Sequence, residues 1–429
     1  MTSFKQLFIL VLTSVAFLSS CGIEEKRPNM VLIMADDLGY ECLGCNGGES
    51  YQTPRLDRMA MNGIRYTNCF SQPLCTPSRV QIMTGKYNHR NYKDFGILGP
   101  GERTFAHALQ DHGYATLVVG KWQLFGSNTD SRVFGQGTFP TDAGFDEYCL
   151  WQIDQTGSRY ADPLIHWNDT VPMVFEGRYG PDVFFSYIRE FLERTTDRPF
   201  LLYYPMALPH GPFEPTPSTA AWDTARGNRG PQYFGSMVAY MDKIVGQIVE
   251  ELKTHGLWED TYVFFTGDNG TDRRIESRFN GRTIKGNKGI PSYYGTHVPL
   301  IVAGGPVSFR GVVDDLVDFS DFYPTLCGLA GMDLDGWTGD GMRFDPTFTG
   351  GSGRREWIYC WYHSGKSHLP TAVFVQDYRF KVYEDGGIYD IASDPGEVNV
   401  IEAVNIPGVT LRHVDNLQTV LDNFRNDSL

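Results

Sequence analysis

Five stretches of the chain are apolar without alternation: residues 29–35, 115–120, 200–204, 261–266 and 298–303. A strand with one wet face alternates hydrophobic and polar residues. Unbroken runs of this length therefore predict strands buried on both faces. Residues 103–112, 183–194, 233–255 and 317–330 read as helices between them. The alternation predicts an α/β fold, a large mostly parallel sheet sandwiched by helices. A connection over 333–354 then leads to short alternating strands at 357–362, 372–383 and 387–391, with a turn at Asp385-Gly386-Gly387 and a closing helix at 411–424. The expected division is a large domain over 29–345 and a smaller C-terminal α+β subdomain over 346–429.

Polar residues collect directly after the apolar runs. Asp36-Asp37 follows the first, Lys121-Trp122 the second, and Asp268-Asn269 the fourth, while the third runs toward His210. Ligands of open α/β sheets bind beyond the carboxyl ends of the strands, so these residues are candidates for one site. An isolated Asp-Asp reads as a cap or a solvated turn. Two such pairs at strand ends reverse that reading. Asp36, Asp37, Asp268 and Asn269 together offer only oxygen donors, which suit a hard divalent cation, calcium ahead of magnesium.

With 429 residues, 41% hydrophobic content and 47 glycines, the chain is folded and rich in loops. A formal net charge of −14 argues against a nucleic-acid partner. It also requires that any anionic substrate be drawn in by a local group of bases. Residues 1–20 read as a signal peptide, with Lys5 before an apolar segment (7–18) too short to span a bilayer. The sequence Leu18-Ser19-Ser20-Cys21 resembles a bacterial lipobox, so Cys21 is the expected lipid attachment site and 21–28 the tether. The expected location is exported and membrane-tethered, in the periplasm or at the cell surface of a bacterium. Of eight cysteines, Cys42-x-x-Cys45 lacks a second Cys/His pair at zinc-finger spacing and reads as a structural or free pair.

The most informative string is Cys75-Thr76-Pro77-Ser78-Arg79-Val80-Gln81-Ile82-Met83-Thr84-Gly85. Pro77 suits the first turn of a helix. Cys75 then stands at a helix N-terminus, where free N–H groups attract an anion, and Arg79 is placed to fork onto two oxygens of that anion. This string resembles the Cys-x-Pro-Ser-Arg signature of the type I sulfatases, members of the alkaline phosphatase-like superfamily. Ile388-Tyr389-Asp390 followed by Ser393-Asp394-Pro395-Gly396-Glu397 resembles their common ending, so the likeness spans nearly the whole mature chain.

The resemblance implies that a maturation enzyme oxidises Cys75 to formylglycine, whose hydrate is the nucleophile. It implies calcium held by Asp36, Asp37, Asp268, Asn269 and an oxygen of residue 75. It further implies that Lys121 and Lys288 bind sulfate oxygens and that His210 contacts sulfate near the leaving group. Lys288 is chosen over Lys285 by its register to Val298-Pro299-Leu300-Ile301. Gly120-Lys121-Trp122-Gln123-Leu124 departs from the family's pattern, because Gln123 replaces a histidine that acts as base. Tyr293 and His297 stand where relatives often carry Glu and Arg. The implied activity is hydrolysis of sulfate esters, with a sulfated glycan as partner. A formylglycine-dependent phosphonate or phosphodiester hydrolase is the alternative, and a non-catalytic glycan-binding lipoprotein ranks third. Specificity is expected from segments 125–179, 215–231, 271–283 and 361–370, with Trp151, Trp167, Trp361 and Tyr293 as candidate sugar platforms.

Overall fold

The computed structural model describes residues 26–194, 198–402 and 408–427; the expected leader, Cys21 and most of the tether lie outside them. In chain order the strands are β1 (Asn29–Ala35), β2 (Ile64–Phe70), β3 (Ala115–Lys121), β4 (Glu147–Trp151), β5 (Leu164–Trp167), β6 (Met173–Val174), β7 (Phe200–Pro205) and β8 (Thr261–Gly267). They continue as β9 (Glu276–Phe279), β10 (Arg282–Lys285), β11 (His297–Ala303), β12 (Gly311–Asp318), β13 (Ile358–Tyr362), β14 (Ala372–Gln376), β15 (Phe380–Tyr383) and β16 (Ile388–Asp390). Ten form one sheet in the order β12-β2-β11-β8-β1-β7-β3-β4-β5-β6. Its centre, β8-β1-β7-β3-β4, is parallel throughout.

The unbroken apolar runs are explained by burial of both faces. Val31, Ile33, Leu202, Tyr204 and Phe265 face one layer, packed with Phe184, Ile188, Met241 and Ile244 of the helices Gly180–Arg194 and Phe234–Thr254. Met30, Leu32, Leu201, Tyr203 and Phe264 face the other, with Ile82, Leu109, Phe322 and Leu326 of the helices Cys75–Thr84, Phe105–Asp111 and Phe322–Leu329. Successive side chains point to opposite sides of a strand, so each run supplies both cores.

Some elements differ from the sequence reading. Residues 317–318 end strand β12 instead of starting a helix, and the α-helix begins only at Phe322. Asp314 and Asp315 mask this strand, whose outer half alternates between exposed and part-buried positions at the sheet edge. β11 runs antiparallel to β8 and β2, so its first residue, His297, lies at the carboxyl edge of the parallel strands. His297 stacks between Tyr40 and Phe70, its ring centroid 4.1 and 5.2 Å from theirs, and its Nε2 lies 2.8 Å from the Thr67 carbonyl. Burial holds its pKa down at about 4. It is a packing residue. The predicted strand over 372–383 is two strands, split by a turn at 377–379.

The second sheet, β13-β14-β15-β16, is antiparallel and backed by the helix Gly408–Asp427. Glu397, in the ending noted in the sequence, ties this sheet to the loop that follows Lys288. Its carboxylate accepts from Lys381 Nζ at 2.9 Å, Tyr383 OH at 2.5 Å and the Tyr293 N–H at 2.5 Å. Lys381 also donates to the Pro291 carbonyl at 2.6 Å, and that carbonyl, 2.7 Å from Tyr383 OH, shares the single hydroxyl proton with the carboxylate. Lys381 is fully buried, so losing its counter-charge strands an ammonium away from water. Glu397→Ala is expected to cost about 3 kcal/mol or more, read as a lower denaturation midpoint in urea. An unchanged midpoint would show that the second sheet is held by apolar packing alone.

Candidate active site

Strand register assembles the site. Ala35 pairs with Gly267, Met34 with Pro205, and Lys121 with Trp151, so the strands end at one level. Asp36 and Asp268 lie one residue beyond the pair Ala35–Gly267 and are driven together. The Asp268 N–H donates to the Ala35 carbonyl at 2.9 Å, and the Asp37 N–H donates to Asp268 Oδ1 at 2.9 Å. Asp37 occupies a left-handed conformation (φ 65°), uncommon for a non-glycine residue and typical of functional turns. Two glycines permit this crowding. A Cβ at Gly267 would meet the Leu38 carbonyl oxygen at 2.1 Å, and one at Gly120 would meet that of Pro205 at 2.2 Å.

Cys75 opens the helix Cys75–Thr84, and every residue of that helix is buried. Its approach is folded by Ser78, whose hydroxyl donates to the Gln72 or Leu74 carbonyl and accepts the Gln72 N–H at 3.1 Å. Gln81 continues the bracing, accepting from Gln72 at 2.6 Å and donating to Asp318 at 2.6 Å. Gly85 ends the helix in the left-handed region (φ 66°), as the closing Thr-Gly implies. Metal-ligating atoms of Asp36, Cys75 and Asp268 lie within 4.8 Å of one another, as do those of Asp36, Asp37 and His210.

Bases face these acids. Lys121 Nζ straddles Asp36 at 2.8 and 3.0 Å, and Lys288 Nζ lies 2.6 and 2.7 Å from the two oxygens of Asp37. His210 Nε2 is 3.6 Å from Asp37. Lys285, by contrast, is exposed on strand β10, so the structure brings Lys288 to the acids and not its neighbour. Burial drives His210 far below the ordinary imidazole value, with Lys288, Arg159 and Lys121 adding to the effect and Asp36 opposing it. Burial also opposes ionisation of Asp36. His210, Lys121, Lys288 and Arg159 together outweigh burial and hold this carboxyl well below its usual range. Asp37 and Asp268 are pushed up, by burial first and then by the charge of Asp36.

Three buried carboxyls that cannot all ionise beside two lysines are a cluster short of positive charge. Asn269 adds a further sign. Its amide donates to Asp37 Oδ1 at 2.9 Å, while its buried Oδ1 has no partner. An unpartnered buried oxygen among carboxylates is what a hard dication would complete, so the residues present fit calcium or magnesium.

Two expectations change. The buried guanidinium of Arg79 is engaged differently from a fork on an anion alone: it donates to the main-chain carbonyls of Trp122, at 2.6 Å, and Lys121, and its Nε has no protein partner among the described residues. The physical reason is that β3 ends directly against this helix, leaving carbonyls that need donors. Arg79 thereby positions Lys121. Trp151 is not a free sugar platform, because Arg159 covers its ring at 3.9 Å. Gln123 follows β3 with φ 49° and a main-chain bond to Gln152, and its side-chain amide has no protein partner among the described residues.

Sequence reasoning missed two bases. Arg159 lies 3.0 Å from His210 Nδ1 and 3.8 Å from Asp36, and Lys366 lies over Phe95, which packs against the cluster containing Cys75. Both fall inside segments expected to carry specificity, 125–179 and 361–370, but no local pattern singles them out. The seven described cysteines are free. Among the described residues, no helix is long and apolar enough to cross a membrane.

Comparison with known proteins agrees with this geometry. The sulfatase family profile matches residues 28–332. Human arylsulfatase A is 31% identical over 410 residues, covering 86% of this chain and 78% of its own length. An N-acetylglucosamine-6-O-sulfatase of Bacteroides thetaiotaomicron is 34% identical over 198 residues, 45% of this chain and 33% of its own. Among solved structures, Ps i-CgsB superposes with a TM-score of 0.76 at 23% identity, covering 92% of this chain and 93% of its own. BT4656, solved with its substrate D-glucosamine-2-N,6-O-disulfate, gives 0.73 at 20% identity, covering 94% and 98%. The chain belongs to the sulfatase family, the sulfuric ester hydrolases.

A dication that binds only the folded chain at a hundredfold excess over its Kd stabilises it by about 2.7 kcal/mol. Calcium is therefore expected to raise the thermal midpoint and a chelator to lower it. Asp268→Asn should abolish the calcium-dependent rise. A midpoint indifferent to both treatments would remove the cation from this site.

Proposed function

We propose that the chain removes sulfate from a sulfated carbohydrate, with residue 75 as formylglycine and calcium among Asp36, Asp37, Asp268 and Asn269. The observation that carries this reading is the position of Cys75, at a helix N-terminus beside the buried carboxyls of Asp36 and Asp268, in a cluster whose acids pair with Lys121 and Lys288. Oxidised to the aldehyde and hydrated, residue 75 supplies the hydroxyl that attacks sulfur. A bound calcium ion supplies Lewis acidity toward the sulfate and the hydrate.

The remaining work belongs to side chains. With the carboxylates shared by a cation, Lys121 and Lys288 are free to turn their N–H groups to the sulfate oxygens, where they stabilise charge spreading over the transferring group. The leaving oxygen takes a proton from Lys288. Sulfate release needs a proton removed, and Gln123 has no basic atom. His210, neutral in its buried place, is the base the site offers. Arg79 holds the main chain that carries Lys121 in place.

The second reading is a formylglycine-dependent phosphonate hydrolase. It draws on the fold shared with the phosphonate monoester hydrolase of Agrobacterium radiobacter, at a TM-score of 0.70 and 20% identity over 94% of this chain. Rates on sulfate and phosphonate esters, measured side by side, separate the two. Export as a lipoprotein through Cys21 fits a large external substrate and is part of the same proposal.

The tryptic peptide of residues 66–79, taken from the native host, is expected to carry an aldehyde or its hydrate at residue 75. Cys75→Ala should reduce sulfate release to the uncatalysed background. Sulfate release unchanged by that substitution would overturn the mechanism.

A further inference from the structure

Most of the positive charge around the site is already committed. Lys121 pairs with Asp36, Lys288 with Asp37, and Arg274 with Asp272 at 2.9 Å. Arg159 is divided between His210, Asp36 and the face of Trp151. Lys366 differs. Its Nζ rests 3.4 Å from the centroid of the Phe95 ring, and it forms no ion pair among the described residues. The neighbouring carboxylate, Asp94, instead accepts the N–H of Phe95 at 2.6 Å.

The loop carrying Lys366 is fixed by hydrogen bonds and packing. It leaves β13 and enters β14 of the second sheet. The Ser364 carbonyl accepts Tyr92 OH at 3.2 Å, the Ser364 hydroxyl accepts the Lys366 N–H at 3.1 Å, and the Lys366 carbonyl accepts the Leu369 N–H at 3.0 Å. Leu369 and Phe95 pack against the apolar cluster that contains Leu74 and Cys75, and Leu369 also lies against Gly289, next to Lys288. Lys366 is thus within electrostatic reach of Cys75, Lys288 and Lys121. A part-buried ammonium whose nearest partner is an aromatic face, in a chain of net charge −14, is poised to exchange that face for an oxyanion.

We propose that Lys366 binds a second anionic group of the substrate, a sulfate or carboxylate beside the scissile sulfate, so that the preferred substrate is a doubly charged saccharide. This rests on the sulfatase reading above and names its substrate class. The second sheet supplies the specificity-determining cation, while the first supplies the chemistry.

Binding to the full chain carrying Cys75→Ala, which lacks any precursor of the nucleophile, tests the idea by calorimetry. The probes are glucosamine and galactose monosulfates, their disulfates, and a sulfated uronate. The expected result is a roughly tenfold tighter Kd for the doubly charged member of any pair that binds. Adding Lys366→Ala should shrink the gap below about threefold, and Lys366→Arg should keep it. Tightening only with the second sulfate, or only with the carboxylate, identifies which oxyanion Lys366 takes. No gap in the parent, a gap that survives Lys366→Ala, or no binding by any probe would overturn the proposal. Sulfate release by the unsubstituted chain is read separately. Release without a charge gap sinks this inference alone, whereas a gap without release sinks the hydrolase reading.

Discussion

Three carboxyl groups withdrawn from water at the level where two parallel strands end are the constraint on which the site depends. Main-chain pairing of Ala35 with Gly267 leaves Asp36 and Asp268 no room to separate. Their repulsion, not an attraction, is what the surroundings answer. Lys121, Lys288, the amide of Asn269 and the orphan Asn269 oxygen all make sense as responses to it. The same field gives an acidic protein a place where an anion can enter. A cation bound among the carboxyls would relieve the repulsion and release the lysines, whereas an oxyanion that drew the lysines away would leave the carboxyls in greater need of that cation.

The cysteine motif acquires a physical meaning position by position. Cys75 opens the helix, Ser78 folds the segment before it, Gln81 braces that segment to Asp318, and Gly85 releases the chain in a left-handed turn. Arg79 is the instructive case. Its place in the motif suggests an anion ligand, yet its guanidinium answers two main-chain carbonyls at the end of β3 and so locates Lys121.

Much of the architecture was legible in the chain because burial on both faces leaves a plain mark. The apolar runs over 29–35, 115–120, 200–204 and 261–266 became the central parallel strands, and the polar residues just after them became the site. The edge strand ending at Asp318 was not legible, since a half-exposed strand with Asp314 and Asp315 carries a weaker apolar signal. Nor could sequence spacing reveal Arg159 or Lys366. Each reaches the site by way of a loop whose course depends on tertiary packing, here the face of Trp151 and the cluster around Leu74. The motif did distinguish Lys288 from Lys285, because register to a buried strand fixes which of two nearby lysines turns inward.

The clamp at Glu397 joins the second sheet to the segment just after Lys288, while Lys366 hangs from that same sheet. The carboxyl cluster and Lys366 are therefore positioned by different means, one by strand register and the other by a loop between two short strands. Such a division uncouples innovation from catalysis. Under the proposal for Lys366, changes in the loop between β13 and β14 would alter the charge offered to a ligand without disturbing the crowded carboxyls, which strand register holds in place.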